Sequence, residues 1–148
     1  MSDTLQELVI QFVRTFGLHQ PDRTPCGQPL SVSEAHALSE LRKAPGLSQN
    51  ELAAKLQLEK STVSRLAASL AKRGWLTRRK DETDSRVWRL YLTEQGEKTA
   101  TRIEESRKEK FRAVASALTD ERMEIVEEGL RELIGALKRE GESDHGKK

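Results

Sequence analysis

The sequence predicts a mainly α-helical fold carrying one small β-hairpin. Three observations lead there. Only 4% of the 148 residues are aromatic while 34% are charged, the profile of helices with solvated outer faces rather than of a β-sandwich. Apolar residues recur at three- and four-residue spacing along most of the chain, the period of a helix with one buried face. Alternating patterning is confined to two short runs, Leu76-Thr77-Arg78-Arg79 and Val87-Trp88-Arg89-Leu90-Tyr91-Leu92. The polar stretch from Lys80 to Arg86 between them suits a hairpin tip.

Taken in order, Leu5, Leu8, Val9, Phe12, Val13 and Phe16 form one helical stripe, which Gly17 ends. The three prolines between Pro21 and Pro29 mark a loop. Ser31 with Glu34, and Ser48 with Glu51, are capping boxes, in which the serine oxygen and the glutamate satisfy free amides at a helix start. The first opens a helix that turns Val32, Ala35, Leu38 and Leu41 inward and stops at Ala44-Pro45-Gly46. The second opens a short helix bearing Leu52, Ala53 and Leu56, with Ala53 and Ala54 small enough for close packing. After the tight connection Gln57-Leu58, a third helix spans about Lys60 to Arg73, with Val63, Leu66 and Leu70 inward and Gly74 at its end.

Beyond the hairpin, Thr93 is placed to cap a long helix reaching about Leu118, with Ala100, Ile103, Phe111, Val114 and Leu118 on one side. Thr119, followed by Asp120 and Glu121, starts a last helix striped by Val126, Leu130, Leu133, Ile134 and Leu137. The apolar-free segment 141–148 is expected to be a disordered tail. Trp75 and Trp88 are expected to pack at the root of the hairpin.

Charge is uneven. Between Lys60 and Leu92 nine basic residues face three acidic ones, a net +6, which leaves −4 for the remainder. A basic middle between acidic ends points to a polyanion met by one region. No stretch matches a membrane span, no secretory signal opens the chain, and one cysteine forms no internal disulfide. A cytoplasmic protein is expected. No Gly-rich phosphate loop, Ser/His/Asp set or metal-ligand cluster stands out, so neither enzyme nor cofactor is expected.

Two short helices joined by a tight turn, then a basic hairpin, are the parts of a winged helix-turn-helix. A major groove about 12 Å wide accepts one helix, whose side chains reach base edges while the preceding helix braces it. Lys60, Ser61, Thr62, Ser64 and Arg65 project from the first turns of the second helix. Hydroxyls and cations there suit phosphates and base edges, and they argue against a protein-binding winged helix, which would expose apolar residues.

These residues resemble a known family. Leu52-Ala53-Ala54-Lys55-Leu56, Ser61-Thr62-Val63-Ser64-Arg65-Leu66 and Leu70-Ala71-Lys72-Arg73-Gly74-Trp75-Leu76 are similar to the reading head of the MarR family. Asp84-Ser85-Arg86, followed by Leu90, Leu92, Thr93 and Gly96, resembles its D-x-R…L-x-L-T-x-x-G signature. The resemblance covers about residues 3–140 and implies one MarR-like domain over 1–140. About 31–93 would be the winged helix, and about 3–17 and 94–140 helical dimerisation parts. It implies a homodimer on double-stranded, pseudo-palindromic operator DNA, most often a repressor. A small ligand, in that family commonly an aromatic acid or phenol, would release it. Arg86 resembles the wing arginine that enters the minor groove, and Asp84 its support. Arg78, Arg79 and Lys80 are candidates for phosphate contacts.

Glu59 departs from the pattern, standing where Ser, Thr, Asp or Asn usually caps the recognition helix. The helix could then start later, at Ser61. Some members of the family sense oxidants through cysteine or bind zinc, so Cys26 and His36, with His19 and Glu34, are the candidates for a redox- or metal-responsive alternative. Four zinc ligands are not evident, however, and no metal site is expected.

Overall fold

The computed structural model describes residues 2–145. Its order is α1 (Ser2–Phe16), α2 (Val32–Lys43), α3 (Gln49–Leu56), α4 (Lys60–Lys72), β1 (Leu76–Lys80), β2 (Trp88–Leu92), α5 (Glu94–Ser116) and α6 (Asp120–His145). The chain forms two compact units that divide after Lys108, within α5.

In the first unit, local chemistry sets the helix ends. Both capping boxes form. The Glu34 amide donates to Ser31 Oγ at 3.1 Å and the Ser31 amide to Glu34 Oε1 at 3.0 Å. The Glu51 amide likewise donates to Ser48 Oγ at 3.1 Å. Helix α4 ends on Gly74 at φ +80°. There the Trp75 amide reaches back to the Leu70 carbonyl at 3.1 Å and the Gly74 amide to Ala71 at 3.0 Å. This is the paired closure that a left-handed residue allows. The α3–α4 turn closes in the same way on Gln57, at φ 55°, with Leu58 N donating to Ala53 O at 3.0 Å.

These helices and the hairpin enclose one core. Leu30, Leu38, Leu41, Leu52, Val63, Leu70, Leu90 and Ile103 are its fully buried large residues. Ala53 is buried where α3 meets α4, whereas Ala54, expected to share that role, is exposed. Strands β1 and β2 are antiparallel, with Leu76 opposite Leu92 at the root and Lys80 opposite Trp88 at the outer end. Residues 46–48 add a third short edge, since Leu90 N donates to Leu47 O at 2.9 Å and Gly46 N to Leu90 O at 3.0 Å.

Thr93 and Gly96 join the wing to α5. Thr93 N donates to Trp75 O at 3.0 Å, Thr93 Oγ1 donates to Gly74 O at 2.6 Å, and the Gly96 amide donates to Thr93 Oγ1 at 3.0 Å. A Cβ at position 96 would stand 2.0 Å from the Trp75 carbonyl oxygen. The T-x-x-G spacing is therefore a packing requirement, in which threonine caps the helix and glycine admits the preceding turn.

In the second unit, Thr119 caps α6 through the Arg122 amide at 3.2 Å. Helix α6 runs to His145, so the expected tail is helical over Gly141–His145. One backbone hydrogen bond is added per residue, and a single glycine costs only about 1 kcal/mol, too little to stop an established helix. Positions 146–148 of that tail lie outside the described residues.

Gly96→Ala is expected to destabilise the protein by about 3 kcal/mol, because the backbone at Trp75 must move to admit a methyl group. Equilibrium urea unfolding measures this, and an unchanged midpoint would contradict the packing account.

Candidate nucleic-acid interface

Helix α4 presents two faces. Val63, Ala67 and Leu70 are buried, while Lys60, Ser61, Ser64 and Arg65 are exposed and Thr62 is half-buried. The helix begins at Lys60, with Glu59 in the extended N-cap conformation and no side-chain cap. The expected slip to Ser61 does not occur, because the Val63 amide already closes the first turn on the Glu59 carbonyl at 3.1 Å.

The wing stands beside this face. Arg78, half-buried on the sheet side facing α4, donates from Nη2 to the Ser64 carbonyl at 3.0 Å. Arg78, a candidate for phosphate contact, also ties β1 to the helix. The reason is register, since it pairs across the sheet with the buried Leu90. Arg79, by contrast, is exposed on the opposite sheet face with its guanidinium 4.8 Å from the Tyr91 ring.

At the tip, Asp84 and Arg86 come together. Asp84 Oδ1 accepts from the Arg86 amide at 3.0 Å and from Arg86 Nε at 3.1 Å. The Arg86 side chain is 89% exposed. Bonding to the Arg86 side chain, and then to its amide, holds the Asp84 carboxyl below its ordinary pKa. The guanidinium is thus oriented at its base and open to solvent elsewhere.

Asp81 and Arg89 were not among the expected site residues, yet they organise the wing. Asp81 Oδ2 accepts from the Thr83 hydroxyl at 2.8 Å, the Thr83 amide at 3.2 Å and the Asp84 amide at 3.1 Å. Its Oδ1 accepts from Arg89 Nε at 2.6 Å. Arg89 Nη1 donates to the Gly46 carbonyl at 2.9 Å and lies 3.6 Å from Glu51. Arg89 bonding first, then Thr83, depresses the Asp81 carboxyl far below the usual aspartate range. The separation Asp81-x-Thr83-Asp84 was the available signal, since an aspartate readily accepts from amides two and three residues on.

Trp75 is half-buried at the wing root, under the Arg73 guanidinium at 4.8 Å. Trp88 is not a root residue. Register puts it at the outer end opposite Lys80, 37% exposed, with Lys80 Nζ 5.5 Å from its ring centre. Leu76, Leu90 and Leu92 already fill the positions behind it.

Among the described residues, no group of three or more His, Cys, Asp or Glu is placed to hold a metal ion. Cys26 is half-buried with Sγ 3.1 Å from Thr24 Oγ1. His36 is exposed on α2, and partial desolvation, then the nearby Arg107 charge, push its pKa down. Between α2 and the start of α5 lies a polar groove of about 600 Å³, lined by Arg42, Lys43, Glu97, Glu104, Arg107 and Lys108. Arg42 pairs there with Glu104, and lies 3.7 Å from Glu97.

Residues 28–87, from the last turn before α2 to the wing tip, match the sequence model of the MarR family. This winged-helix segment is of the MarR family. The chain is 33% identical over 110 residues to the uncharacterized HTH-type transcriptional regulator YdgJ of Bacillus subtilis, covering 74% of this chain and 63% of that protein. Its fold is similar to that of Streptococcus pneumoniae FabT in complex with DNA, with a TM-score of 0.68 and 24% identity over 93% of this chain and 91% of that one. It is also similar to the PcaV transcriptional regulator of Streptomyces coelicolor in complex with its natural ligand. There the TM-score is 0.69, with 20% identity over 90% and 91% of the two chains. Among the described residues, six helices with one antiparallel hairpin match the fold of a second structure of the PcaV transcriptional regulator, with a TM-score of 0.75 and 20% identity.

A carboxylate whose pKa is depressed by folding contributes stability above its unfolded pKa, and loses it as pH falls through the folded value. The wing tip is therefore expected to keep its amide protection at pH 5. Asp81→Ala should remove protection from the Thr83 and Asp84 amides at pH 7, read by NMR hydrogen exchange. Unaltered exchange in the variant would contradict this role.

Proposed function

We propose that this protein is a homodimeric, sequence-specific DNA-binding transcriptional regulator of the MarR family, a repressor released by a small-molecule effector. The observation that carries the reading is one joint presentation. Exposed Lys60, Ser61, Ser64 and Arg65 lie on α4, and Arg86, oriented by Asp84, stands out from the adjoining wing. Side chains of this chemistry on a helix suit the major groove, and an arginine on a projecting hairpin suits the narrow, negative minor groove. The amides at the start of α4, left without a side-chain cap, favour a phosphate there. Lys60, Ser61, Thr62, Ser64, Arg65, Arg78, Arg79, Lys80 and Arg86 are the proposed DNA contacts, with Asp84 as support. The complex of the similar FabT with DNA supports the same reading.

Dimerisation has its own support. Leu5, Leu8 and Phe12 of α1 are exposed, as are Ile125, Val126, Leu130, Ile134 and Leu137 of α6. Apolar stripes of this length are normally covered by a partner, and a second copy of the chain supplies a matching set. Twofold symmetry would then place two recognition helices about 34–36 Å apart, on two half-sites of a pseudo-palindrome. For the effector, the complex of the similar PcaV with its natural ligand is the precedent. In the α2–α5 groove Arg42 is paired with Glu97 and Glu104, and Arg107 and Lys108 are the cations that would meet an acidic ligand, such as an aromatic acid. Such a regulator works beside DNA in the cytoplasm, and catalysis has no part in the reading.

The test is a titration on DNA from upstream of the protein's own gene at two salt concentrations. Binding is expected with two chains per site and to weaken steeply with salt, as phosphate contacts release counterions. Arg86→Ala should weaken it about tenfold. Absence of binding both here and to sequences selected from a random pool would overturn the reading.

A further inference from the structure

Trp88 occupies a position that neither the core nor the Asp84–Arg86 tip accounts for. Its neighbours on the same strand face are Leu90, fully buried, and Leu92, half-buried, so the root is filled without it. It is 37% exposed at the last rung of the ladder, directly opposite Lys80. Lys80 Nζ lies 5.5 Å from the ring centre, near enough for the cation to hold the indole in place.

The sheet face that carries Trp88 and Lys80 also carries Arg78, which reaches the Ser64 carbonyl of α4. The indole is therefore on the α4 side of the wing, two rungs beyond the strand's attachment to the helix. Passing outward along that side, one meets Arg78, then the Lys80–Trp88 pair, then the tip with Arg86. An exposed apolar ring with an ammonium against it matches a sugar–phosphate backbone, which offers an apolar deoxyribose beside an anion.

We propose that Trp88 and Lys80 form a second DNA contact of the wing, separate from Arg86. In it the indole packs on a deoxyribose and the Lys80 ammonium pairs with an adjacent phosphate. The inference deepens the DNA-binding reading and rests on it. The two side chains contribute differently, and salt separates them. Burying an apolar ring releases no counterion, whereas a lysine on a phosphate does.

The experiment measures affinity by fluorescence anisotropy for labelled operator DNA at several salt concentrations, with wild type, Trp88→Ala, Trp88→Phe, Lys80→Ala and Arg86→Ala. Trp88→Ala is expected to bind about three- to tenfold more weakly at every salt, with the salt slope unchanged. Trp88→Phe should recover part of that loss. Lys80→Ala should lower the slope by about one. DNA should also change the tryptophan emission of wild type more than that of Trp88→Phe, in which Trp75 is the remaining fluorophore. The proposal is overturned if Trp88→Ala binds like wild type and Trp88→Phe keeps the full emission change while Arg86→Ala is weakened. If wild type itself binds no DNA, the regulator reading fails first and takes this contact with it.

Discussion

One guanidinium joins three parts of the winged helix. From β2, Arg89 donates to Asp81 at the base of the wing tip, at 2.6 Å, and to the Gly46 carbonyl in the turn before α3, at 2.9 Å, with the Glu51 carboxylate at 3.6 Å. Its planar fork can serve several acceptors at once, which a lysine ammonium on a flexible stem does less well. Asp81 in turn collects the Thr83 and Asp84 amides. The position of Asp84, and so of Arg86, is thereby referred back to the helix-turn-helix. A two-stranded ribbon alone is marginal in water, so a wing of five-residue strands needs such anchors to hold a direction.

The opposite sheet face repeats the connection. Arg78 fastens β1 to the Ser64 carbonyl of α4, and Thr93 with Gly96 locks the root against the Gly74–Trp75 turn. Between these ties lie Leu76 and Leu90, both buried. Helix and hairpin thus form one frame with two projecting surfaces. That arrangement is what simultaneous engagement of neighbouring grooves demands, because movement between the two would be an entropic cost of binding.

The features legible in the sequence were those written over short spans. Both serine–glutamate capping boxes, the Gly74 closure, Thr93 at the start of α5 and the Asp84–Arg86 pair join residues no more than a few positions apart. What escaped depended on register. Whether Trp88 packs at the root or stands at the outer end depends on its pairing with Lys80, and alternation cannot reveal the pairing. Arg78 and Arg79 are adjacent and alike in sequence, yet the pleat sends one to the helix and the other to Tyr91. Arg89 meets Gly46 across 43 positions, a contact that no local pattern announces. The end of α6 escaped for a different reason, since an apolar-free segment can still continue a helix already formed.

If Arg89 directs the wing, the proposed contribution of Arg86 to DNA binding depends on Arg89 being in place. A double-mutant cycle on operator affinity with Arg86→Ala and Arg89→Lys tests it, the lysine keeping the charge while losing the fork. Arg86→Ala is expected to cost markedly less in the Arg89→Lys background than in wild type, a coupling of about 1 kcal/mol. Strictly additive losses would contradict it, and would mean that Arg86 reaches DNA without direction from Arg89.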